Sequence, residues 1–251
     1  MVEAEWRCNW SRYSADWARD SRSWLQIGRA ADSRIRSMIR GVNFRQHGVD
    51  FLSSLWDALD IDQASIVARS IAGVWTIGFA LAQPDRVEDI AVVGVPAGLT
   101  PKIPVPLRLA GTPIIGDLLF KTALRHSKDN YRKQLRSYVV DRDKVPPELV
   151  DAAYASMSMP SARRSFKTMV QEVTTLRGFK SKYVLRDRLE NVVHSTLLIW
   201  GSDDPVNPVS AGREAAERLP NGRFELIEEA GHYVWLDATE RTASLLIDFL
   251  S

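Results

Sequence analysis

Residues 64–73 read Ala64-Ser65-Ile66-Val67-Ala68-Arg69-Ser70-Ile71-Ala72-Gly73. A short apolar run, the length of a buried strand, meets Ser70 and passes into a helical pattern. That pattern stops at Gln83-Pro84, where proline disfavours continuation. The spacing predicts a strand over 64–68, a sharp turn at the serine, and a helix over 71–83. A serine held on such a turn exposes its hydroxyl. The following amide and the helix N-terminus then lie close enough to stabilise an oxyanion. The turn needs small residues two before and two after the serine, and Ala68 and Ala72 meet that need. Alone the pattern is common, since a helix N-cap serine gives the same residue types.

Working outward, Phe51-Leu52, Leu55-Trp56 and Leu59 recur at helical spacing and predict an amphipathic helix over 49–60. Ile90-Ala91-Val92-Val93-Gly94-Val95 is a second buried strand. Strands separated by helices of this length imply right-handed crossovers and a parallel sheet. Residues 97–190 break the rhythm with prolines at 101, 104, 106 and 113 and then helical, basic segments. They read as a helical insertion, and the arginine and lysine clusters there, such as Arg163-Arg164, read as a solvated face. The alternation resumes at Thr196-Leu197-Leu198-Ile199-Trp200, with a helix over 209–218, a strand over 223–227 and a last helix near 238–250. The fold class is therefore α/β, a mostly parallel sheet with flanking helices.

Two further sites fall at the carboxyl ends of predicted strands, the face on which open parallel sheets bind ligands. Asp203-Asp204-Pro205 follows Leu198-Ile199-Trp200-Gly201, and Glu229-Ala230-Gly231-His232 follows the strand over 223–227. Either aspartate also suits a turn or a helix cap. The order Ser, Asp, His, each at a strand end, is nevertheless hard to obtain by chance. The remaining histidines read as bland: His194 as solvated before a strand, His126 as exposed in a basic segment. His47, His126 and His194 show no ligand spacing, so no metal is expected.

With those residues in view, positions 49–251 resemble the α/β-hydrolase family with a helical cap. The resemblance is carried by the helix through Leu59, the Ala68-Arg69-Ser70-Ile71-Ala72-Gly73 elbow, Ala82 to Val87, Leu197 to Pro208 and Glu229 to Asp237. It implies a nucleophile at Ser70, an acid at Asp204 and a base at His232, with the Ile71 amide as one oxyanion donor. Asp203 is then left to shape the turn. It also implies a core of residues 49–96 and 191–251 and a cap of residues 97–190, with residues 1–48 an atypical segment. A serine nucleophile argues against the epoxide-hydrolase and haloalkane-dehalogenase branches, which attack with aspartate. Hydrolysis of an ester and of a carbon–carbon bond in an activated ketone both remain open. Acyl transfer on the same scaffold and a non-catalytic or truncated relative are the alternatives.

The chain departs from that family's pattern before residue 49. The strands expected there, the His-Gly oxyanion loop and the Asp-x-Pro-Gly-x-Gly-x-Ser loop are not found. His47-Gly48 lies too near Ser70 to be that oxyanion motif, which leaves the second donor unassigned. Arg69 stands where His or Gln is more usual and sets a charge beside the serine. Trp6, Trp10, Trp17 and Trp24, half of the eight tryptophans, crowd the first 45 residues among arginines and serines without a period. That stretch reads as a wrong-frame translation of a hydrolase N-terminus.

Composition sets the outer bounds. The chain has 251 residues, 45% hydrophobic and 25% charged, an ordinary globular profile with ample length for a core. A net charge of +2 gives no reason to expect a nucleic-acid partner. No apolar run long enough for a membrane span and no signal-peptide pattern occur. Cys8 is the single cysteine, which excludes an internal disulfide and suits a reducing cytoplasm. The expected partner is a small-molecule substrate, with no cofactor.

Overall fold

The computed structural model describes residues 43–94 and 98–251. The tryptophan-rich stretch, Cys8 and the wrong-frame reading lie outside the described residues, except that Asn43 to Arg45 open the first helix. Helix α1 spans Phe44–Ala58. It begins five residues before the expected position 49, because Asn43 caps it by accepting from Arg45 N at 3.1 Å. Phe44 is anchored against Trp75 and Tyr183, with ring centroids 5.3 and 6.0 Å away. The polar Arg45-Gln46-His47 turn hid this start from an apolar-spacing argument.

Strand β1 (Ala64–Arg69), helix α2 (Ala72–Ala82) and strand β2 (Val87–Val93) form the first crossover unit. β2 begins three residues earlier than expected, since Val87 pairs with Ala64. The intervening Glu88 accepts from Ser65 Oγ at 3.3 Å, so acidic residues enter the strand at its polar end. α1 packs on α2, with Trp56 edge-on to Phe79 at 5.0 Å. Gly48 makes that contact close, because a Cβ there would collide with the Trp75 indole.

Between β2 and the next sheet strand come α3 (Val105–Ala110), α4 (Pro113–Lys121), α5 (Lys128–Arg136), α6 (Pro147–Ser156) and α7 (Pro160–Val173). Four of these five carry proline in the first turn, where its missing N–H costs nothing. Of the prolines that break the βα rhythm in the sequence, Pro104, Pro106 and Pro113 thus sit at helix starts, while Pro101 lies in a bend before α3. A two-residue antiparallel ladder, β3 (Thr174–Thr175) with β4 (Gly178–Phe179), closes the segment.

Strand β5 (Thr196–Gly201), helix α8 (Val209–Arg218), strand β6 (Gly222–Ile227), the short α9 (Val234–Asp237) and α10 (Thr239–Leu250) complete the chain. The last helix is thus preceded by a separate turn of helix. The sheet order is β1-β2-β5-β6, all parallel. Leu197, Leu198, Ile199 and Trp200 are almost fully buried, which explains why β5 reads as a continuous apolar run. Among the described residues β1 pairs only with β2, and its Val67 is half exposed. The register sets Arg69 beside Val93 and Gly201 beside Ile227, so the strands end along one edge of the sheet.

His194 corrects an expectation. Far from solvated, it is 8% exposed, and its Nε2 donates to the Pro84 carbonyl at 2.9 Å. It ties the entry of β5 to the loop before β2.

Candidate active site

Ser70 follows directly on β1 with φ +49°, a left-handed conformation uncommon for a side-chain-bearing residue. The turn is fixed by Gly73 N donating to Ser70 O at 2.9 Å and Val74 N to Ile71 O at 3.2 Å. Ala68, two residues before, is buried in the core, where a larger side chain would press on its neighbours. Ile71 caps α2, so its N–H belongs to the first turn, where no intrahelical acceptor precedes it.

The loop after β6 brings His232 across the sheet edge to the serine. His232 Nε2 lies 3.0 Å from Ser70 Oγ, and Nδ1 lies 2.9 Å from Asp204 Oδ2. The His232 and Asp204 side chains are 5% and 0% exposed. A carboxylate only accepts, so Nδ1 carries the proton and Nε2 presents a lone pair to the hydroxyl. Asp204 Oδ1 accepts from Val206 N at 2.7 Å, which holds the carboxylate plane. Asp203 is exposed and turned away, taking a hydrogen bond from Ser202 Oγ at 2.6 Å. The three residues named from the sequence therefore meet in one line of contacts, and Asp203 does not join them. Such a line allows the hydroxyl to lose its proton to the ring as it attacks an electrophile.

Three neighbours escaped the sequence reading. Gly94, at the end of β2 with φ +75°, runs beside the His232 backbone. The Tyr138 ring tilts over His232 at 5.3 Å, and the Tyr233 ring lies 5.7 Å away. Burial pushes both phenols above their ordinary range, for Tyr233 against the opposing pull of Arg69, so both stay protonated. Gly94, read from the sequence as part of the strand over 90–95, in fact follows its last residue, Val93, and a glycine there was the one signal available; the tyrosines carried none. Arg69 reaches the aromatic side chains that follow His232. Its guanidinium sits 5.0 Å from the ring centroids of both Tyr233 and Trp235. His47 and Gly48 lie within α1, with His47 edge-on to Trp75 at 5.8 Å. Among the described residues no group of three or more His, Cys, Asp or Glu side chains could hold a metal ion.

The alpha/beta hydrolase fold family model matches residues 43–239. The chain belongs to the alpha/beta hydrolase fold family. Among similar proteins of this fold, the 2-hydroxy-6-oxo-6-phenylhexa-2,4-dienoate hydrolase of Burkholderia cepacia is 26% identical over 201 residues. That alignment covers 80% of this chain and 67% of the relative. The 2-hydroxy-6-oxononadienedioate/2-hydroxy-6-oxononatrienedioate hydrolase of Paraburkholderia phymatum is 28% identical over 199 residues, covering 79% and 66%. The chain thus spans about two thirds of the length of these curated relatives. Among solved structures, the meta-cleavage product hydrolase of Pseudomonas fluorescens IP01 superposes with a TM-score of 0.65 at 24% identity. It covers 83% of this chain and 72% of its own. The 2-hydroxy-6-oxo-6-phenylhexa-2,4-dienoate hydrolase of Rhodococcus sp. strain RHA1 gives 0.66 at 20% identity, covering 80% and 68%. These superpositions show the shared alpha/beta hydrolase fold, with its parallel sheet and flanking helices. The sequence reading of a serine hydrolase of this fold agrees with the relatives found.

Proposed function

We propose that the chain hydrolyses a small carbonyl compound through a covalent intermediate on Ser70. The observation that carries this is the unbroken contact line from Asp204 through His232 to a serine at positive φ. In that reading His232 takes the Ser70 proton as Oγ attacks the carbonyl carbon. Asp204 keeps the imidazole in the right tautomer and stabilises the imidazolium. The Ile71 amide, at the positive end of α2, faces the developing oxyanion. His232 returns the proton to the leaving group and then activates water to release the acyl group.

The bond cleaved is proposed to be a carbon–carbon bond beside an activated ketone, because the curated relatives are named as hydrolases of 2-hydroxy-6-oxo dienoates. The same geometry serves an ester. Residues 97–190 are proposed as the cap that shapes the substrate pocket, residues 49–96 and 191–251 as the catalytic core. The substrate is a small molecule rather than a nucleic acid, as the near-balanced charge suggests. No helix among the described residues is long and apolar enough to cross a membrane. The lone cysteine favours work in the cytoplasm.

Intact-mass labelling with a fluorophosphonate, beside Ser70→Ala, tests the proposal. A single adduct absent from Ser70→Ala supports it, and turnover of a vinylogous diketone against a simple ester then chooses the bond. Folded wild-type protein that takes no adduct would overturn it in favour of a non-catalytic relative.

A further inference from the structure

Asp237 is a carboxylate buried to 7% exposure, five residues after His232, at the end of α9. Among the described residues every hydrogen bond to its side chain comes from a backbone amide, and these amides belong to two separate stretches of chain. Oδ2 accepts from Gly231 N at 2.8 Å, the residue before His232. Both oxygens accept from Val140 N at 3.1 Å, and Oδ1 also accepts from Asp141 N at 3.1 Å. Lys144 Nζ donates to the Asp237 carbonyl at 2.5 Å, adding a third contact from the same insertion.

A second tie runs alongside. Tyr233 N, on the other side of His232, donates to Tyr138 O at 2.9 Å. The approach is close, since a Cβ on Gly231 would meet that carbonyl oxygen at 2.6 Å. Of the residues flanking His232, Gly231 is thus tied to positions 140 and 141 through the Asp237 carboxylate and Tyr233 directly to Tyr138, whose ring rests on the imidazole itself.

We propose that Asp237 is a positioning residue for His232: its carboxylate clamps segment 138–141 to the histidine loop and so sets the angle at which Nε2 meets Ser70 Oγ. The inference rests on the proposed roles of Ser70 and His232. A carboxylate suits the position because both of its oxygens face amide donors. An asparagine would turn its NH2 toward at least one of them in either orientation. The imidazole would then keep its partners but lose its aim, and misplacement of about 1 Å can cost on the order of 100-fold in rate.

The test compares wild type, Asp237→Asn and Gly231→Ala for fluorophosphonate labelling rate, well below each variant's melting temperature. The far-downfield proton resonance of His232 Nδ1–H is followed alongside. Gly231→Ala leaves the carboxylate in place but forces the two segments apart, so it stands in if Asp237→Asn does not fold. The expected result is a labelling rate lower by tenfold to 100-fold on folded protein, with the Nδ1 resonance shifted or broadened. On an ester substrate the loss falls on kcat, with KM little changed. Variants that label at the wild-type rate with an unmoved resonance, whatever their melting temperature, would overturn the inference. Absence of labelling in the wild type would instead sink the roles of Ser70 and His232.

Discussion

Gly94 leaves room for the backbone of His232: a Cβ built on Gly94 would come within 2.7 Å of the His232 carbonyl oxygen. The end of β2 and the histidine loop therefore touch main chain to main chain.

Replacing Gly94 with alanine adds that collision to the cost of φ +75° for an L residue. The expected loss is roughly 1–3 kcal/mol of stability, read from urea unfolding midpoints. Labelling at Ser70 should also slow, because the loop that carries His232 must shift.

Ser70 holds a conformation that glycine adopts freely. Ser70→Gly should raise the unfolding free energy by about 1 kcal/mol, whereas Ser70→Ala should not. Thermal melts of the two variants side by side read the difference. Equal melting temperatures would mean that the elbow stores no strain.

How much of this could be read beforehand follows from what each signal depended on. β2 and β5 are buried apolar runs and β1 is an apolar run only partly covered; in each the apolar residues sit together in sequence, so local pattern found them. The elbow was legible because a strand end, a serine and a helix start are all neighbours. Asp204 and His232 were legible only as members of an ordered set, since each alone looked like a turn residue. Asp237 was not legible. Its meaning lies in amides at 140 and 141, nearly a hundred positions away, and a charged residue near a helix end looks like surface. His194 failed for the same reason, its partner being the Pro84 carbonyl.

Arg69 binds the elbow to the start of α9, just beyond His232, through two aromatic faces, those of Tyr233 and Trp235. Arg69→Leu should cost about 0.5–1 kcal/mol, in keeping with an exposed cation–π contact. Chemical denaturation measures it, and the effect should vanish in a Tyr233→Leu, Trp235→Leu background.

His126 stacks on Tyr154 at 4.2 Å, with Nδ1 at 3.2 Å from the Tyr131 hydroxyl. It is only partly exposed, where its basic surroundings in the sequence predict an exposed position. Desolvation, followed by the nearby positive charge of Arg163, holds its pKa below the ordinary 6.5. The folded state thus binds fewer protons than the unfolded chain just below pH 6.5. Its contribution to stability is present above 6.5 and is lost as pH falls below that value. Unfolding free energies between pH 7 and 5 should fall less steeply in His126→Gln than in wild type.

Ser70 and His232 are 162 positions apart, and each neighbouring strand in the parallel sheet is reached through a crossover. No short segment contains two members of the contact line. Its assembly therefore waits on long-range loop closures, which are entropically slow to make. During refolding from denaturant, helical signal should return first and reactivity toward a fluorophosphonate last. The adduct then serves as a clock for docking of β6 and the loop behind it, registering completion of the sheet rather than the birth of any single element.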